Sequence, residues 1–377
     1  MSVLGPRALI DIAVPTGIDG AEVFRIERQD GANVSEIIAE AAATIGMRNE
    51  EILQRYGGLL RFTQEPFARY RQGASARTET PRSSEFADPD PVRTQEIGHM
   101  LPLYDYKDAV AWSAEYLRRA PREQLFDDLN LIGERWVNRV DRELLTRALT
   151  NTENPIGSAG YDVPWAIGTG TNVNYIPPQY RSYTFDSTHT HFVWRDATFN
   201  AAGLALLLND MVVQLRHHGY EGRLVALLSD ADLTVARAMS EFVAQTPFTV
   251  VMTPTSGTTP VQVTGGEVQG IPGELFGYFN SVRGVVELRY HERIPTKYAF
   301  MTKSYGLNDQ RNGLAVRIAS DLAFGLTVNP QVDRSLVPRF ESIKFEATHG
   351  VGVSNRTNGV AGFVDSGASA YVNPTIA

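Results

Sequence analysis

Apolar residues recur every three or four positions from Leu125 through Leu129, Ile132, Trp136, Val140 and Leu144 to Ala148. That period predicts a long amphipathic helix that opens at Pro121 and runs to Asn151. Proline suits the first helical turn, where the N–H it lacks would have no partner. Asp127 and Asp128 lie toward the positive pole of the helix dipole, Arg142 and Arg147 toward the negative pole. At ~1.5 Å per residue the helix is about 45 Å long. A shorter helix is expected over Ala32–Thr44, with Val34, Ile37, Ile38 and Ala41 on one face. Another is expected over Ala197–His218, with Leu204, Leu208, Met211 and Leu215 inward and Gly219 as its terminator.

Arg223–Leu228 has the apolar content of a buried strand, and Ser229 with Asp232 resembles a capping box that opens a helix reaching Gln245. Strands are predicted at Phe248–Met252, Pro260–Val263, Glu267–Ile271 and Val285–Tyr290, with Pro254–Thr259 as a loop. Near the end, Ile343, Phe345 and Ala347 alternate with Lys344 and Glu346. Val351 and Val353 extend that alternation to a turn at Asn355–Gly359.

Residues 59 to 106 break the pattern. Arg61, Arg69, Arg71, Arg77 and Arg82 intersperse with Glu65, Glu79, Glu85, Asp88 and Asp90, and Pro81, Pro89 and Pro91 punctuate the middle. The flanks Leu59–Arg71 and Val92–Tyr106 are strand-like, so the stretch reads as a two-stranded arm with a polar tip. A solvated, structureless segment is the competing reading. Phe62, Phe67, Tyr70 and Phe86 argue against it, because a purely solvating linker has little use for aromatics. The mixture suits an interface, and the expected contact residues are Phe67, Arg69, Tyr70, Arg71, Arg77, Glu79, Arg82, Glu85 and Phe86.

Composition narrows the function. The chain has 377 residues, 43% hydrophobic and 21% charged, a globular balance long enough for about two domains. Its first residues lack a basic stretch followed by an apolar one, so no secretory signal is expected. The longest apolar run, Ala201–Val213, is interrupted by Asn209 and Asp210 and falls short of the ~18 residues of a membrane span. Cysteine is absent, which removes disulfides, thiolate metal sites and cysteine nucleophiles together. A net charge of −8 disfavours general nucleic-acid binding.

Candidate chemistry is sparse. His189 and His191 form an H-x-H pair whose imidazoles share one face of a strand and could ligate zinc. No nearby carboxylate–histidine helix supplies further ligands, so a packed pair without metal is expected. His217 and His218 are expected to complement the negative end of their helix. Gly168-Thr-Gly-Thr and Gly350-Val-Gly-Val read as turns, since neither continues into a phosphate-loop pattern. No Gly-x-Ser-x-Gly or His-Glu-x-x-His set is present, so no enzyme and no cofactor are expected.

Four stretches in order carry a resemblance to a known family: Tyr104–Trp112 before the long helix, Phe185–Phe192 before the next, Arg293–Met301, and His349–Val360. Together they resemble the major capsid proteins of tailed phages, the Hong Kong 97-type fold. The resemblance implies an α+β fold with an N-terminal arm (1–58) and an extended E-loop hairpin (59–106). It further implies a peripheral-domain sheet with a long spine helix (107–165 and 326–377, the helix at 121–151) and an axial domain (166–325). It implies a virion protein, assembled in the host cytoplasm, that forms hexamers and pentamers of an icosahedral shell around double-stranded DNA. Its axial loop at Thr255, Ser256, Gly257 and Thr258 would then meet neighbouring copies.

Implied partners are further copies of itself, a separate scaffolding protein, a portal, decoration proteins and loosely held DNA, with no membrane. Some relatives crosslink through an E-loop lysine. Residues 59–106 hold no lysine, so non-covalent locking is expected. Two other functions fit the sequence: an encapsulin-like protein compartment, and a cytosolic metal-dependent enzyme using His189 and His191.

Overall fold

The computed structural model describes residues 34–72, 95–157, 160–244, 250–252, 261–263, 270–320, 324–333 and 340–376. In chain order the elements begin with α1 (Val34–Tyr56), β1 (Leu60–Thr63), β2 (Phe67–Gln72), β3 (Gln95–Met100) and β4 (Tyr104–Ser113). Next come α2 (Ala114–Arg119), α3 (Arg122–Leu149), β5 (Asn154–Ile156), β6 (Gly160–Asp162), β7 (Phe192–Asp196) and α4 (Ala201–His217). Then follow β8 (Leu224–Ser229), α5 (Leu233–Arg237), β9 (Phe242–Ala244), β10 (Val250–Met252), β11 (Val261–Val263) and β12 (Glu274–Ser281). The last are β13 (Gly284–His291), β14 (Tyr298–Thr302), β15 (Leu314–Ile318), β16 (Thr327–Asp333), β17 (Phe340–Val353) and β18 (Val360–Asp365). Among the described residues no helix is long and apolar enough to cross a membrane.

The chain divides into two compact units. The first comprises Met1–Gln54, Pro102–Glu143 and Arg317–Gly350; the second comprises Arg55–Leu101, Leu144–Val316 and Val351–Ala377.

In the first unit the alternation seen in the sequence becomes strand β17. Ile343, Phe345 and Ala347 are buried while Lys344 is exposed. β17 pairs antiparallel with β4 from Phe340↔Ser113 to His349↔Tyr104, and with β16 from Thr327↔Glu346 to Asp333↔Phe340. α3 buries Leu125, Leu129, Ile132, Trp136 and Val140 here, as its period predicts. Asn49 of α1 ties this unit together. Its Oδ1 accepts from Trp136 Nε1 and from the Leu326 N–H, both at 3.0 Å, while its Nδ2 donates to the Leu326 carbonyl at 3.1 Å. α1 is longer than the expected Ala32–Thr44, because Ile52 and Tyr56 continue the apolar stripe into buried positions.

The second unit is built on a seven-stranded sheet of order β7-β18-β14-β8-β13-β12-β9. β8 lies inside it, parallel to β13 and antiparallel to β14, and all six of its residues are buried. A run without alternation is what a strand covered on both faces requires. α4 packs its Leu204, Leu208, Met211 and Leu215 stripe into the same core. It sits so close to β18 that a Cβ at Gly362 would come within 2.6 Å of the Met211 sulfur.

One sequence expectation fails here. The helix expected from Ser229 to Gln245 is a 3-10 turn over Asp230–Asp232 followed by the five residues of α5. Ser229 makes no capping bond, and Asp232 turns instead to accept from Thr296 Oγ1 and the Lys297 N–H, both at 2.9 Å. Phe242 then leaves to stack on Phe276 and pair with the edge of β12, a tertiary gain that overrides local helix preference. The stretch after Gly350 supplies β18 to this sheet, antiparallel to β14 and parallel to β7. Val360–Val364 is buried throughout, as an internal strand demands. The strand expected at Glu267–Ile271 falls largely on residues outside those described, and β12 had not been anticipated.

Replacing Asn49 with Ala strands the Trp136 indole N–H and both main-chain groups of Leu326. The expected loss is about 2–4 kcal/mol of unfolding free energy, read by urea denaturation.

Candidate functional site

The arm expected at 59–106 is a hairpin at its base. β2 and β3 pair antiparallel from Phe67↔Met100 to Gln72↔Gln95. Strand alternation splits the residues of β2 into two faces. Phe67, Arg69 and Arg71 are exposed, Phe67 by 49%, whereas Ala68 is buried against Leu101 and Ala315. Tyr70 shares the inward face with Ala68 and is half-buried. Of the expected contact residues, then, Phe67, Arg69 and Arg71 face outward and Tyr70 serves as an anchor. Arg77, Glu79, Arg82, Glu85 and Phe86 lie outside the described residues, as do Thr255, Ser256, Gly257 and Thr258.

The anchor is Arg356, from the turn between β17 and β18, which is only 1% exposed. Its Nε donates to the Pro164 carbonyl at 3.0 Å, Nη1 to the Val173 carbonyl at 2.8 Å and Nη2 to the Trp165 carbonyl at 3.4 Å. Nη1 also donates to the Tyr70 hydroxyl at 3.2 Å. The guanidinium lies 5.7 Å from the Tyr70 ring centre and 5.2 Å from that of Tyr175, and the two rings meet edge to face at 4.6 Å. A buried cation is tolerated because nearly every donor has an oxygen and the ring faces supply further negative potential.

The charge sets the state of its neighbours. The Tyr70 hydroxyl lies 3.3 Å from His99 Nδ1 on β3. Burial first, and the Arg356 charge second, push the His99 pKa down to about 3. Burial raises the Tyr70 pKa, and Arg356 offsets that only in part. Tyr70 is therefore a neutral hydroxyl that can accept from Arg356 and donate to a neutral imidazole. Beside this root, Arg147 donates to Asp162 at 3.0 Å in a buried ion pair, and its second nitrogen bonds the Thr150 and Thr152 carbonyls at the end of α3.

Sequence reasoning named Tyr70 as a contact for a neighbouring copy, not as a partner of Arg356, and did not single out Arg356, Tyr175 or His99. Arg356 lies 286 residues from Tyr70, and no local pattern links them. The only available signal was an arginine inside a turn otherwise bounded by buried apolar strands.

The second cluster is imidazole. His189 Nε2 lies 3.0 Å from His218 Nε2, and His191 Nε2 lies 2.9 Å from the same atom. His218, expected to serve the helix dipole, is the C-cap of α4 with its ring turned onto the H-x-H pair. His217 instead stacks on Tyr183, with ring centres 4.1 Å apart. These three imidazoles are the one group among the described residues arranged to hold a metal ion.

Two outcomes test the hairpin root. Arg356→Leu removes the donors of three main-chain carbonyls and is expected to cost about 3 kcal/mol or more, measured by denaturant unfolding. His99 gives a pH signature. Its folded pKa is below the unfolded value near 6.5, so the unfolded chain binds a proton first as pH falls. Its contribution to stability is whole above 6.5 and is lost at about 1.4 kcal/mol per pH unit toward 3. A His99→Gln variant should lose less stability than the parent between pH 7 and pH 5, and equal slopes would contradict the assignment.

No protein-family model and no curated protein sequence matches the chain. Solved structures do. A structure of Mycobacterium phage Patience is similar at a TM-score of 0.61 and 18% identity, covering 92% of this chain and 92% of that one. The mature capsid of bacteriophage PhiM1 is similar at 0.46 and 8% identity, over 81% of this chain and 86% of its own. The capsid of cyanophage P-SCSP1u gives 0.48 and 9%, over 84% and 88%. The mixed helix-and-sheet architecture of this chain is that of the phage capsid fold.

Proposed function

We propose that the chain is a major capsid protein, a structural subunit that self-assembles into the hexamers and pentamers of a tailed-phage head enclosing double-stranded DNA. The observation that carries this reading is the end-to-end likeness to the Patience phage structure, which spans 92% of both chains. On this reading the β2–β3 hairpin is the base of the E-loop, α3 is the spine helix, and the seven-stranded sheet with α4 belongs to the axial domain.

The hairpin supports the same assignment. A structural arm needs a stiff base and an outward face that remains available. Arg356 and Tyr70 supply the first; Phe67, Arg69 and Arg71 supply the second. An exposed aromatic flanked by guanidinium groups suits an apolar pocket rimmed by carboxylates on a neighbouring copy. Ring contacts of this kind are heterologous and close into a finite shell, and many weak contacts acting together hold it. A lysine-free arm and a cysteine-free chain fit locking without covalent bonds. The acidic balance of −8 fits DNA held loosely inside the shell. A separate scaffolding protein, a portal and decoration proteins would complete the particle, assembled in the host cytoplasm.

The test removes the tip and keeps the root. Residues 73–94 are replaced by a short Gly-Ser linker, and the product is examined by electron microscopy and sedimentation. A folded protein that forms no shells is the expected result. Intact icosahedral particles would overturn the role given to the arm, and particles filled with a protein cargo would point to a compartment in place of a phage head.

A further inference from the structure

We propose that His189, His191 and His218 bind one zinc-class divalent cation through their Nε2 atoms, forming a metal clip inside the second unit.

The argument begins with protons. His191 Nδ1 lies 2.7 Å from the Gly359 carbonyl, which can only accept, so this nitrogen carries the hydrogen and Nε2 presents a lone pair. That lone pair faces His218 Nε2 at 2.9 Å, and His189 Nε2 faces the same atom at 3.0 Å. A neutral imidazole nitrogen either donates or accepts. If His218 Nε2 carries a hydrogen it can satisfy one neighbour and leaves the other without a donor. If it carries none, His191 receives no proton at all. In neither case do both close contacts hold a full two-centre hydrogen bond, and a cation accepting all three lone pairs resolves both at once.

The rings are set for that exchange. Metal ligands must be neutral, and the partial or full burial of all three rings disfavours their charged form. The Gly359 carbonyl fixes the His191 tautomer, as outer partners of metal-bound histidines commonly do. Zinc–nitrogen bonds of ~2.0–2.1 Å in a tetrahedron place ligand nitrogens about 3.3 Å apart; the two pairs at 2.9 and 3.0 Å would open slightly, and the three ligand atoms, all within 4.8 Å of one another, would draw in around the ion.

The backbones behind the rings are pinned. The His191 N–H donates to the Ala166 carbonyl at 2.9 Å, and its carbonyl accepts from Ala361 at 3.0 Å. The His218 N–H donates to Leu215 at 3.1 Å, and the chain turns away at Gly219 with φ +82°. Phe185 stacks on His218, with ring centres 4.3 Å apart and planes 13° from parallel, and shields one side.

The set of donors selects the ion. Three imidazoles without a thiolate suit zinc, copper or nickel, not magnesium or calcium, which require oxygen. Asp186 is engaged elsewhere, since its Oδ1 accepts from both the N–H and the hydroxyl of Thr188. The fourth position belongs to solvent. The role is structural: the ion joins the end of α4 to the segment ahead of β7, while His191 holds the turn ahead of β18.

The test uses the purified full-length chain, stripped with a chelator and titrated with zinc chloride. One equivalent bound per chain is expected, with a rise of several degrees in Tm. Cobalt(II) in its place should give the intense visible bands of tetrahedral coordination. His189→Asn and His218→Asn should each weaken zinc binding at least roughly tenfold, as even an outer partner is worth that much. His217→Asn should leave it unchanged. Failure to take up zinc, or affinity equal to the parent's in both ligand variants, would overturn the proposal. If one variant fails to fold, the other and the cobalt spectrum of the parent still decide. Because the titration reads a single chain, its result is independent of whether shells form.

Discussion

A guanidinium buried to 1% exposure is costly unless its donors are met, and the second unit is organised so that Arg356 meets three carbonyls and a tyrosine. Those carbonyls belong to Pro164, Trp165 and Val173, so one side chain gathers the segment that follows β6, the turn before β18 and the first strand of the hairpin. Burial, with the Arg356 charge second, keeps His99 neutral. Without Arg356, Ala68 would still be buried against Leu101 and Ala315, and Tyr70 would still pack on Tyr175, but the Tyr70 hydroxyl would lose its charged donor.

What could be read from the sequence was local. The stripe of α3, the apolar block of β8, the alternation of β17 and the end of α4 at Gly219 each announce themselves through neighbours within a few residues. The expected helix after Ser229 failed for the complementary reason. Asp232, half of the expected cap, accepts instead from Thr296 and Lys297, far along the chain. The candidate sites follow the same rule. His189 and His191 were visible as a pair two residues apart, whereas His218 meets them only because α4 folds back over 27 to 29 residues. Arg356 and Tyr70 are farther apart still.

The two units solve the problem of a cysteine-free interior differently. The first relies on a polar hub: Asn49 bridges a helix, an indole and a strand entry with three hydrogen bonds. The second relies on bulk, with Leu207, Leu208, Met211 and Val212 of α4 fully buried over the sheet. Hydrogen-bond hubs specify geometry, and apolar bulk supplies most of the free energy.

The ladder between β17 and β4 has a mechanical meaning. Ten consecutive residue pairs run from Phe340↔Ser113 to His349↔Tyr104 without a bulge. Tension applied along the strands loads all of those rungs in parallel, so none yields before its neighbours. Tension applied across them would open the ladder one rung at a time. Pulled along its length, the ribbon resists as a seam in shear, where the same hydrogen bonds are strongest.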